Sequence, residues 1–128
     1  MTLVLDSGGL TALSGQRARL VELRRHGLWP PQVPAIVLTE SLTGDHRRDH
    51  AINRLLRTCQ VRPVDEQQSR EAARLRTATG RAGTISAVDA VVVAWASTRP
   101  QPVVLTSDPG DLTALSQAAP VVVTVVAV

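Results

Sequence analysis

Hydrophobic and polar positions change their period in alternation along the chain. Thr2 to Leu5 is a short apolar run that stops at Asp6, which predicts a strand. Leu10 to Leu13 and then Arg17 to His26 read as helices. In the second, Leu20, Val21 and Leu23 would turn inward while Arg17, Arg24 and Arg25 face water. Val33 to Leu38 is apolar and β-branched, with Pro34 near its start, and predicts a second strand followed by a short helix from Thr39. His46 to Cys59 carries Ile52, Leu55, Leu56 and Cys59 at i, i+3, i+4 and i+7, a helical stripe. Val61 to Val64 predicts a third strand. Glu66 to Thr79 predicts a helix rich in Arg and Ala, with Glu71 and Arg74 spaced to pair.

Ser86 to Ser97 is ambiguous by period alone, because Ala90 to Ala96 is one solid apolar run. Its length, its Ala content, the cap at Ser86 and the spacing of Val88, Val91, Val92 and Trp95 favour a helix. A helix apolar all round is a buried one. Val103 to Thr106 and Val121 to Val126 predict two last strands, separated by a helix over Asp108 to Gln117. Strands that are apolar on both faces and alternate with helices imply a parallel sheet with both faces covered. The expected fold is therefore α/β, a three-layer α/β/α sandwich on a five-stranded parallel sheet, with residues 1–128 forming a single domain. Sites in such folds form beyond the carboxyl ends of the strands, where the strand order reverses. Met1 to Leu5 is too short for a signal peptide, and no apolar run reaches the roughly 18 residues of a membrane span, so a soluble cytoplasmic protein is expected.

Composition changes this picture mainly by exclusion. All 14 basic side chains other than His are Arg, and Lys is absent. A Walker A loop, a response-regulator phosphoacceptor site and Schiff-base chemistry all need a Lys. Guanidinium forks suit phosphate, although a GC-rich genome also exchanges Lys for Arg, so a net charge of +3 says little about a nucleic-acid partner. Phe and Tyr are absent, and Trp29 and Trp95 cannot build an extended base-stacking platform. Any nucleic acid must be held by charge and shape. Cys59 is the sole cysteine, which excludes an internal disulfide and a thiolate metal cluster and reads as a structural residue.

Only 11 residues are acidic, so their placement is informative. Asp6 directly follows the first strand, Glu40 lies two residues after the second, and Asp108 two after the fourth, with Asp111 three further on. Asp89 stands near the start of the buried helix. Asp45, Asp49, Asp65, Glu22, Glu66 and Glu71 fall in loops or on polar faces and read as solvated. Asp6 and Asp108 are equally placed to cap helices, Ser86 and Asp89 have capping-box spacing, and Glu40 could complement a helix N-terminus. The residues alone leave both readings open. Asp89 tips the balance, because a carboxylate beside a core is costly unless paired or bound to a cation. Oxygen donors without His or Cys suit Mg²⁺ or Mn²⁺. His46 and His50 have zinc-capable spacing but no third ligand, and Ser7 lacks the Gly-x-Ser-x-Gly setting of a triad nucleophile.

Leu3-Val4-Leu5-Asp6-Ser7, Thr39-Glu40-Ser41-Leu42, Ser86-Ala87-Val88-Asp89-Ala90 and Leu105-Thr106-Ser107-Asp108 with Asp111 together resemble the four acidic motifs of PIN-domain nucleases. Their order and spacing, and the chain length, are similar to those of VapC toxins of bacterial toxin–antitoxin pairs. The resemblance implies a PIN-like five-stranded parallel sheet, a Mg²⁺- or Mn²⁺-dependent endoribonuclease, a homodimer, and a VapB-like antitoxin that blocks the acidic cleft. It also implies that Asp6, Glu40, Asp89 and Asp108 are metal-site carboxylates, with Asp111 auxiliary. The family often has a Ser, Thr or Asn two residues after the first Asp. Here that position is Gly8, so Ser7, or Thr106 and Ser107, would supply the hydroxyl. Hydrolysing a phosphodiester calls for an activated water and relief of charge on the phosphate, both of which a divalent cation provides. The expected assignment gives the ion to Asp6, Asp89 and Asp108, and gives Glu40 a second ion or the water. Two alternatives are a catalytically inactive PIN-like module that binds RNA or protein, and a haloacid-dehalogenase-like phosphatase. The phosphatase needs a second Asp where Gly8 stands.

Overall fold

The computed structural model describes residues 1–128. Five strands, β1 (Thr2–Leu5), β2 (Gln32–Pro34), β3 (Gln60–Arg62), β4 (Pro102–Thr106) and β5 (Thr124–Ala127), form one sheet in the order β3-β2-β1-β4-β5. Every neighbouring pair is parallel. Seven α-helices connect them: α1 (Ser7–Ser14), α2 (Arg17–Arg25), α3 (Leu38–Ser41), α4 (His50–Leu56), α5 (Glu66–Ala78), α6 (Ala87–Ala96) and α7 (Pro109–Ala118). One helical group packs α1 against α2, α3 and α4, and the other packs α5, α6 and α7 together. The result is the three-layer α/β/α sandwich expected. The chain builds outward from β1 to β3, then crosses back to β4 beside β1, so the strand order reverses between those two strands.

The core is aliphatic because the chain has little else to bury. Twenty-four hydrophobic residues form one cluster, and Trp95 is its one fully buried aromatic ring. β1 is buried along its whole length. α6 buries every residue from Val92 to Ala96, which settles the ambiguous apolar run as a helix. Each such large apolar side chain contributes roughly 1.5–3 kcal/mol when fully buried. The Trp95 indole N–H donates to Pro63 O at 3.2 Å, so the ring is buried without an orphaned donor.

Several predictions differ from the structure in extent or facing. The second strand ends at Pro34, and Ala35–Val37 form a single 3-10 turn that leads into α3. Pro34 has no N–H to continue the ladder, and the turn packs against α6. The helix predicted from His46 begins only at His50. Asp49 is 4% exposed, not solvated as expected, and accepts from Thr43 N, Thr43 Oγ1 and Gly44 N at 2.8–3.1 Å. That side chain satisfies loop amides instead of extending a helix. Val21 is 43% exposed and faces water rather than the core. The last strand starts at Thr124, leaving Val121 and Val122 exposed. None of the helices is long and apolar enough to cross a membrane.

Candidate metal site

Asp6 is positioned by the register of β1 and β4. Leu5 stands opposite Leu105, so the next residues along, Asp6 and Thr106, meet where the strands end. Thr106 Oγ1 donates to Asp6 Oδ2 at 2.6 Å, and Thr106 is 1% exposed. Asp108 N donates in turn to Thr106 Oγ1 at 3.2 Å, so a short hydrogen-bond chain runs from one site residue to another. Asp6 Oδ1 accepts from Gly9 N at 2.7 Å and caps α1. Asp6 is therefore a helix cap, a role that does not exclude one as a site carboxylate. It is 6% exposed. Burial, against the pull of its two hydrogen bonds, raises its pKa above the usual carboxylate value.

The two glycines after Asp6 allow that closeness. A Cβ on Gly9 would collide with Leu105 O, and one on Gly8 would collide with Ser107 Oγ and lie 3.0 Å from Ser107 N. The β1–α1 turn thus rests directly on the end of β4. A side chain at position 8 would have to displace the Ser107 hydroxyl. The hydroxyl on Asp6 comes instead from across the sheet, from Thr106, while Ser7 opens α1 and Ser107 is exposed beside Gly8.

Asp89 is the third residue of α6. Its N–H donates to Ser86 Oγ at 3.1 Å, but its carboxylate does not complete a capping box. The acid left open by that half-made cap is half-buried. Burial pushes its pKa up to about 6, and the negative charges of Asp6, Glu40, Asp111 and Asp108 push the same way. No hydrogen bond offsets them. All five acids singled out by sequence therefore act on one locality. Glu40 reaches it from α3, where it is exposed, and Asp108 caps α7 through a long 3.4 Å bond from Gly110 N. Asp111, in the first turn of α7, pairs with Arg81 at 2.8 Å. Sequence reasoning missed Arg81, because a single Arg in a loop carries no pattern.

This donor set fits a hard cation in chemistry, since it offers only oxygens and its members repel one another until a positive charge arrives. No three of the acids converge closely enough to cage an ion. The electrostatic coupling around Asp89 is the more telling fact for Mg²⁺, which keeps several of its waters and needs only one or two carboxylates directly. Two surface hollows of about 640 and 500 Å³ include none of the five acids.

No protein-family model matches the chain and no curated relative aligns significantly with it. Solved structures do match. A chain of DNA-bound VapBC from Salmonella typhimurium superimposes with a TM-score of 0.72 at 16% identity, over 99% of this chain and 98% of that one. A chain of VapBC2 from Rickettsia felis, bound to a promoter DNA fragment, gives 0.69 at 13% identity, over 98% and 99%. FitAcB from Neisseria gonorrhoeae gives 0.65 at 21% identity, over 96% of each chain. At these identities the likeness speaks to architecture: the chain has the PIN-type α/β/α fold of these VapBC- and FitAB-type structures, as its four acidic motifs implied.

Proposed function

We propose that the chain is a divalent-metal-dependent endoribonuclease, the toxin of a VapBC-type toxin–antitoxin pair. The observation that carries this reading is the half-buried carboxylate of Asp89, left open by its cap and without a hydrogen bond, together with Asp6 and Asp108 at the carboxyl ends of adjacent strands. Like charges brought together at a partly buried edge repel until a cation offsets them. Asp6, Asp89 and Asp108 would hold Mg²⁺ or Mn²⁺, and exposed Glu40 would take a second ion or orient the attacking water. When bound, the cation activates water and offsets charge on the phosphate. The chain's own residues do the rest. Thr106 fixes the Asp6 carboxylate, Gly8 and Gly9 let the two strand ends meet, and Ser86 sets the first turn from which Asp89 projects. Asp111, Ser7 and Ser107 are auxiliary.

A VapB-like antitoxin belongs to the same proposal, supported by the VapBC and FitAB composition of the structures that share the fold, and a homodimer is what the family resemblance implies. A haloacid-dehalogenase arrangement is disfavoured, since Gly8 stands where the second Asp would be needed. An inactive binding module is favoured by one observation, the lack of a preformed three-carboxylate cage. One experiment separates them. The purified chain should cut single-stranded RNA with Mn²⁺ and not in EDTA, and Asp6→Asn or Asp89→Asn should abolish cutting while circular dichroism stays native. RNA binding without metal-dependent cutting would instead establish the module.

A further inference from the structure

Three ion pairs form in the chain, and two of them, Arg70–Glu66 and Arg74–Glu71, are one-turn pairs along α5. The third is different. Arg81 lies in the connection between α5 and α6, and one of its Nη atoms donates to Asp111 Oδ1 on α7 at 2.8 Å. It is the one pair that links separate elements, and it does so beside the carboxylates of the proposed metal site.

The backbone around Arg81 is held from both directions. Its N–H donates to Thr79 Oγ1 at 3.1 Å, and its carbonyl accepts from Thr84 N and Ile85 N at 2.9 and 2.8 Å. Arg76 reaches from α5 to Ala82 O at 2.7 Å and Ile85 O at 3.3 Å. The fixed part of the loop therefore does not depend on the Arg81 side chain. That side chain is 48% exposed and its partner 34%. An exposed pair of this kind holds little, about 0–1 kcal/mol, and is easily broken. A phosphate offers the same guanidinium two oxygens in matching geometry. The edge also has a need: five acids face the place where a polyanion must come, and Arg81 is the cation seen paired with one of them.

We propose that Arg81 is the substrate-phosphate residue of this edge, held on Asp111 in the free protein and transferred to a phosphate of the bound strand. This rests on the nuclease reading above. Asp111 then acts as a mask that competes with substrate, and the two residues must affect binding in opposite directions.

The test measures binding of a fluorescein-labelled single-stranded RNA by anisotropy across a salt series. Ca²⁺ replaces Mn²⁺, and a gel confirms that the strand stays intact. Arg81→Ala should weaken binding several-fold at low salt and flatten the slope of log Kd against log salt by about 0.7, one phosphate's share for a single strand. Arg81→Lys should keep the slope and recover part of the affinity. Asp111→Asn should tighten binding, and that gain should vanish in the double variant. A structural brace predicts instead that Arg81→Ala and Asp111→Asn both weaken binding and lower Tm together, which would overturn the proposal. So would an Arg81→Ala protein with wild-type slope while the wild type binds and cuts RNA. A wild type that binds no RNA overturns both this inference and the reading beneath it.

Discussion

Asp89 and Asp49 show how one residue type takes opposite electrostatic roles. Asp49 is surrounded by donors from Thr43 and Gly44, and the backbone N–H of Thr43 foremost holds its pKa below the usual 3.8. Asp89 has burial and four neighbouring charges, and rises to about 6. For a raised acid the folded state favours the protonated form. The cost of charging is absent below 3.8 and accrues as pH rises through about 6. Asp89→Asn removes that cost. In EDTA at pH 7 the variant should be more stable than wild type by on the order of 1–2 kcal/mol, discounted from the full shift because the group is only half-buried. Urea unfolding at pH 4 and at pH 7 measures it, and the two proteins should converge at the lower pH. A variant less stable than wild type at pH 7 would mean that Asp89 is satisfied by contacts other than a cation.

The β1–α1 turn and the end of β4 work as one element of the site. Gly8 is the visible departure from the family pattern, and its consequence lies across the sheet at Ser107 and Thr106. Gly8→Ala should cost about 1–3 kcal/mol, since the new methyl must displace the Ser107 side chain. In a Ser107→Gly background the same substitution should cost less, with a coupling of at least about 0.5 kcal/mol in a double-mutant cycle. Additive effects would show that the strand end moves freely. Gly9→Ala has no such rescue, because the group it meets is the Leu105 carbonyl, which is backbone.

For the whole molecule these groups set a stability profile. Asp49 and Glu71 have lowered pKa values, so the stability they supply is present above their unfolded values and is lost as acid titrates them in the folded chain. Asp6 and Asp89 are raised, so they oppose folding as pH climbs. Without metal, Tm should peak near pH 4 and fall as pH rises through about 6. Millimolar Mn²⁺ should lift the neutral side and leave pH 4 nearly unchanged, where protonated acids bind little metal. A scan of Tm against pH with EDTA and with Mn²⁺ reads both limbs. An equal metal effect at pH 4 and 7 would place the bound ion away from these acids.

Much of this molecule is legible in its sequence for a local reason. A short run such as Thr2 to Leu5, apolar on both faces, can be stable only as a buried strand, and Asp6 marks its end because an acid cannot continue into the core. The alternation of such runs with helices determined the parallel α/β/α sandwich, and the strand-end acids determined which edge to examine. The tertiary structure decided what depends on residues far apart in the chain. The β1–β4 register placed Thr106 on Asp6 across 100 positions. Close packing gave Gly8 its meaning through Ser107. Pro34 and the packing of the following turn shortened β2, while Glu40 stayed on the short helix its sequence predicts. Burial separated Asp49 from the solvated acids, and the pairing of Arg81 with Asp111 joins the α5–α6 connection to the first turn of α7, which meet only in the fold. Pattern along the chain specifies elements because it reports the local choice between core and water; register, burial and charge pairing are properties of neighbours, and only the folded chain makes neighbours of these residues.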